Sequence, residues 1–208
     1  MSATNKPEKL FIDPSLWSLL LSNFVVIFLQ EKGNWTLSTI LWIYWFQSIT
    51  IGFFHFIKIL QLKAFSTEGL TINGRTPLPT QETKRTTAFF FLFHYGGFHF
   101  VYLIFLLDKY NLNFIELKYI LPTALLFFIN HLFSYIFNKS KDTKEQNIGS
   151  FMLYPYARII PMHLTILFGS FFIDALPFFL GLKTIADGTM HVVGHKVHKP
   201  MNIEIQIG

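Results

Sequence analysis

The feature that most constrains this chain is a succession of apolar blocks. Several run for about 18 residues or more with almost no charge, the length an α-helix needs to cross a bilayer. The blocks are continuous rather than striped, so one-sided burial against a soluble core does not explain them. Composition agrees. Of 208 residues, 51% are hydrophobic, 18% aromatic and 14% charged, where a soluble domain carries about a quarter charged residues. The expectation is an all-α polytopic membrane bundle of about six transmembrane helices, a single integral membrane domain over residues 1–208.

Asp13-Pro14-Ser15 reads as a helix start, and the first span follows over about Leu16–Leu29. The others cover about Thr36–Leu62, Thr87–Leu107, Tyr119–Phe137, Tyr156–Phe172 and Phe178–Val197. Between the second and third lies the one long polar connection, Lys63–Arg85, which reads as an irregular loop or short amphipathic piece, with a small hairpin as the alternative. Asn138–Ser150 reads as a polar loop, and the tail after Pro200 as poorly ordered. The polar N-terminus has no small-residue cleavage site, so no removable signal peptide is expected.

The basic residues then choose an orientation. The N-tail, the second and fourth connections and the C-tail hold Lys6, Lys9, Lys58, Lys63, Arg75, Lys84, Arg85, Lys139, Lys141, Lys144, Arg158, Lys196 and Lys199. The opposite side holds Lys32, Lys109, Lys118 and Lys183. By the positive-inside rule the protein is multi-pass in the cell membrane with both termini cytoplasmic. The net charge of +5 is spread over connections, without the clustered stripe of a nucleic-acid binder. The expected partners are membrane lipids, not nucleic acid, and a homo-oligomer is compatible with the sequence. With no cysteine there is neither a disulfide framework nor thiolate chemistry.

Most of the 8 histidines fall inside the spans. Measured from the cytoplasmic end of its own span, each of His55, His94, His131, His163 and His191 lies about 6–7 residues in, roughly 9–11 Å deep. His99 and Asp187 lie about one turn deeper, and His195 lies nearer the surface. In the closing stretch K-T-I-A-D-G-T-M-H-V-V-G-H-K-V-H, Asp187, His191 and His195 recur at intervals of four and His198 follows three later. On a helix these four occupy an arc of roughly 80°. Ionisable groups inside spans are costly and mark functional sites by default.

Imidazole and carboxylate at one level suit a metal ion, Zn first, with Fe, Cu or Mn as alternatives. The candidate ligands or near-shell groups are His94, His99, His131, His163, Asp187, His191 and His195. Each has a plainer reading as well. His55, and any single histidine in a span, can serve as an interhelical hydrogen-bond partner. His195 and His198 flank Lys196 and can form an interfacial basic face. Asp187 can pair with Arg158 or Lys183, and Pro161 can simply kink its helix.

The segments I-Y-W-F-Q-S-I-T-I-G, F-H-Y-G-G-F-H, Y-P-Y-A-R-I-I-P-M-H-L-T-I and K-T-I-A-D-G-T-M-H-V-V-G-H together resemble an uncharacterised family of small polytopic membrane proteins of bacteria and archaea, a domain of unknown function. The resemblance implies a six-helix membrane domain and supplies no activity. A weaker likeness is to zinc membrane hydrolases of the alkaline ceramidase and adiponectin-receptor type, which also carry H-x-x-x-H in the last helix, matched here by His191 and His195. Those proteins have seven spans and a Ser-x-x-x-His pair; here Ser48 and His55 are seven apart. The H-x-x-H-H boxes of membrane desaturases are absent.

Three functional readings follow. The first is a metalloprotein with a His/Asp site in the cytoplasmic half of the bilayer, acting as a hydrolase or oxidative enzyme on a lipidic or small substrate. The second is a metal or proton transporter, the third a structural membrane subunit without metal. Outer halves dominated by Phe, Leu and Ile count against a transport path.

Overall fold

The computed structural model describes residues 28, 35–110, 114–138, 146–158 and 203–206. Helix α1 (Leu37–Gln61) opens on Thr36, whose hydroxyl accepts the Thr39 N–H and satisfies one of the donors every helix N-terminus leaves unpaired. At 1.5 Å per residue its 25 residues reach about 37 Å, more than the roughly 30 Å of a hydrocarbon core. Helix α2 spans Gln81–Lys109, capped by Thr80, which accepts the Thr83 N–H. Helix α3 spans Phe114–Asn138 and carries Pro122 inside it.

All three helices are long and apolar enough to cross a membrane. They coincide with the second, third and fourth predicted spans, with α2 and α3 starting earlier than hydropathy places them. Q-E-T-K-R in α2 is polar but helical, because Thr80 caps the helix there and Glu82 favours its first turn. The first predicted span apart from Phe28, the sixth, and the fifth beyond Arg158 lie outside the described residues.

Helix α1 is the central element. It packs along both α2 and α3, which scarcely touch each other. Accordingly 56% of its most apolar window is buried among the described residues, against 28% for α2 and 17% for α3. Ile40, Ile43, Ile59, Trp42, Phe91, Leu106 and Phe127 form the buried seams. The closest approach is at Gly52: a Cβ there would overlap the Tyr95 ring, so only glycine lets α1 and α2 come this near. The outer flanks of α2 and α3 expose Phe93, Phe100, Ile104, Leu125, Phe133 and Ile136, the distribution expected of helices facing lipid.

Both ends of α1 meet a buried charge of the sign its dipole favours. At the N-terminus, Glu116 of α3 accepts hydrogen bonds from the hydroxyls of Thr36 (2.6 Å) and Ser38 (3.2 Å). At the C-terminus, the Lys84 ammonium donates to the Leu62 carbonyl at 2.9 Å, one of the acceptors a helix end leaves open.

Beyond that C-terminal end lies a small cap. Strand β1 (Phe65–Ser66) pairs in parallel with β3 (Gln146–Asn147), and β2 (Leu70–Ile72) pairs in parallel with β4 (Ile203–Ile205). Asn73 and Gly74 both have positive φ (50° and 74°) and form a two-residue turn, with Ile72 and Arg75 bonded across it. The connection after α1 is therefore a loop that carries two short strands rather than a self-contained hairpin, since those strands take partners from segments far along the chain. Nor is Asn138–Ser150 loop throughout: its end supplies β3 and the start of helix α4 (Ile148–Leu153), capped by Asn147, before the 3₁₀ turn Tyr154–Arg158. The tail is corrected too, because residues 203–205 are a strand with a fully buried Ile205.

Candidate functional site

His99 follows His94 by five positions, so on α2 they point about 140° apart. The structure gives them different surroundings. His99 is 3% exposed and lies in the α1–α2 seam. Its Nδ1 donates to the Tyr95 carbonyl at 2.8 Å, since a carbonyl only accepts; its Nε2 therefore accepts the Ser48 hydroxyl at 2.7 Å. Tyr95 completes the group, its hydroxyl 2.8 Å from Ser48 Oγ and donating to the Ser48 carbonyl at 3.0 Å, while its ring stacks on His99. The Trp45 indole N–H donates to the His99 carbonyl at 2.9 Å. Both imidazole nitrogens are thus used by protein partners, and the network ties α1 to α2 where no water competes.

His94 faces the other way. Its ring is exposed, stacked on Phe90 and edge-on to Phe98, and its Nδ1 lies 2.9 Å from the Tyr156 hydroxyl. Tyr156 is itself set by the rings of Phe91, Tyr95 and Phe98. Among the described residues Nε2 of His94 has no hydrogen-bond partner. An imidazole held at Nδ1 by a neighbour with Nε2 outward is the arrangement of a ligand whose orientation is fixed by a supporting group.

His55, near the cytoplasmic end of α1 in the predicted orientation, is 6% exposed. Its Nε2 lies 2.7 Å from the Phe151 carbonyl, and its ring rests on Phe91 and Phe151. Phe91 precedes His94 by about one turn of α2. His131 belongs to α3, which joins α1 on another flank than α2. His163, Asp187, His191 and His195 lie outside the described residues. Among those described, no group of three or more His, Cys, Asp or Glu side chains is placed to hold a metal ion.

Several polar residues take on roles that the sequence alone does not assign them. Ser48 and Tyr95 are single polar residues in apolar runs, and only the pairing of helices makes them a unit. Glu116 and Lys84 lie outside the apolar blocks that mark the spans. The T-L-S-T run at 36–39 was a readable N-cap signal, but nothing local announced that the carboxylate answering it is eighty residues on.

A model of the family of unknown function DUF6498 matches residues 5–204. The chain belongs to that family. The match covers every element described above through β4's central residue, including the histidine motifs of α2. No curated protein and no solved structure matches the chain. Membership of DUF6498 therefore supports the family-level resemblance and brings no activity with it, so the chemistry has to be argued from the side chains.

Proposed function

We propose that this DUF6498 protein is a membrane-embedded metalloprotein whose site lies on the flank of α2 that carries His94. The observation that carries the reading is the His94–Tyr156 pair. The imidazole is held at Nδ1 and exposed at Nε2, within a span where an uncommitted ionisable group is expensive to keep. His163, Asp187 and His191 are its proposed co-ligands, with His195 next; His99 and His131 move to supporting roles. Zn fits a set of neutral imidazoles and one carboxylate, with Fe, Cu or Mn as alternatives. A metal in such a site lowers the pKa of a bound water for hydrolysis, or in the Fe or Cu case binds dioxygen. The proposed substrate is lipidic or small, because the site opens on an apolar flank. A metal transporter would use the same groups transiently.

The proposed topology is six spans with both termini cytoplasmic. Strand pairing supports it. Strands β3 and β4 both join the cap beyond the C-terminal end of α1, as an even number of crossings between them would require. The side so defined is the one rich in Lys and Arg.

A second reading, a structural subunit without metal, is favoured by His55 and His99, which both act in helix contacts. Chelation separates the two. Stripping purified protein with a chelator and restoring Zn, Fe, Cu or Mn one at a time should shift the melting temperature for the resident ion, since ligand binding stabilises by mass action. No shift with any of the four, at concentrations up to about 100-fold over protein, would leave the structural reading standing.

A further inference from the structure

Lys84 carries a buried charge with no opposite charge beside it. It is 7% exposed, and its ammonium has three N–H donors. Among the described residues its one polar partner is the Leu62 carbonyl, and no carboxylate lies within ion-pair distance. The carbonyl uses one donor and leaves the charge unneutralised, which is costly at a buried position. Two more cations flank the same spot. Lys63 follows Leu62 and Arg85 follows Lys84; both are exposed, and neither is ion-paired among the described residues. Glu82, exposed in the first turn of α2, pairs with none of the three.

Away from the cap, the outer side of the same seam is apolar. Arg85 and Phe89 stand four apart on one stripe of α2, and Phe53 and Phe56 stand three apart on one stripe of α1. The two stripes meet where Phe56 packs edge-on against Phe89, ring centroids 5.7 Å apart. Phe53 and Phe89 each keep about half of their surface open (50% and 47%). The groove between α1 and α2 thus has cations at its polar end and phenyl walls toward the hydrocarbon.

That order is the complement of a phospholipid with a net negative headgroup, which places phosphate at the interface and acyl chains beneath it. A soluble anion would answer the charges and leave the rings without a role. The cations also sit on the side of the protein rich in Lys and Arg, the side on which anionic lipid acts on membrane proteins.

We propose that this groove binds an anionic phospholipid. Its phosphate lies against Lys63 and Arg85 with Lys84 behind them, and its acyl chains run along Phe53, Phe56 and Phe89. The phosphate supplies the counter-charge that Lys84 lacks, and so fastens α1 to α2 at the cap end. The site does not depend on a metal being present.

The test is thermal unfolding of full-length protein in mild detergent during titration with phosphatidylglycerol or with phosphatidylcholine of the same acyl chains. Phosphatidylglycerol should raise the melting temperature saturably, since ligand binding stabilises by mass action, and phosphatidylcholine should give little or no rise. Each basic residue near the surface contributes roughly fivefold, so Lys63→Ala/Arg85→Ala should need about 25-fold more phosphatidylglycerol for the same rise. Both side chains are exposed and unpaired, so the lipid-free variant should melt close to the wild type. Lys109→Ala/Lys118→Ala removes the same charge from exposed positions at the other end of the helices and should leave the titration within about twofold of wild type. Native mass spectra should retain bound phosphatidylglycerol on the wild type and lose it from Lys63→Ala/Arg85→Ala. A chelator should change none of these results. Equal rises with the two lipids, or an unchanged titration in Lys63→Ala/Arg85→Ala, would overturn the proposal. So would equal weakening in Lys109→Ala/Lys118→Ala, which marks a net-charge effect, or the same rise with millimolar inorganic phosphate alone.

Discussion

Replacing His99 by alanine removes the acceptor of the Ser48 hydroxyl and the ring stacked on Tyr95. Interhelical hydrogen bonds in membranes are worth about 0.6–1.7 kcal/mol, so the variant should melt lower by that order and keep any metal the wild type holds. Gly52→Ala acts at the same seam by sterics. The new methyl meets the Tyr95 ring, and forcing a close contact apart costs about 1–3 kcal/mol, measurable as a lower midpoint in detergent unfolding. Tyr156→Phe keeps the ring and deletes only the hydroxyl at His94 Nδ1. It should weaken metal affinity about 10–100-fold with little effect on melting, as loss of a supporting partner does elsewhere.

At the scale of the helix, α1 shows how much local signals decide. Its extent was legible from hydropathy, because an uninterrupted apolar run has no other stable state in a bilayer. Its capping was legible only in part. Thr36 is a readable cap, but Glu116 and Lys84 act on α1 from other helices, and residues so far apart in the chain carry no mutual signature in one sequence. Glu116→Ala would strip the hydroxyls of Thr36 and Ser38 of their acceptor and take a negative charge from the positive end of α1. Loss of such a cap costs about 1–2 kcal/mol, and thermal melting should show it, with Glu116→Gln retaining part of the effect. The strands were missed for a related reason. I-E-I-Q-I in the tail alternates as a strand should, and Asn73-Gly74 is a strong turn signal, yet parallel pairing across more than 130 residues has no local marker.

For the whole molecule, the membrane class followed directly from composition and block length. Counting along helices leads to the expectation that the histidines share a level, and His163, Asp187, His191 and His195 of that set lie outside the described residues. Counting also gives the angle between His94 and His99, but not which of the two faces a neighbouring helix: His94 lies outward beside Tyr156 and His99 in the α1–α2 seam. That division is the central claim, and the metal content of three proteins tests it most directly. Elemental analysis of wild type, His94→Ala and His99→Ala, purified in mild detergent, should find close to stoichiometric metal in the wild type and in His99→Ala, and less than about 0.2 per chain in His94→Ala. Absence of metal from the wild type, or its loss from His99→Ala but not from His94→Ala, would contradict the account.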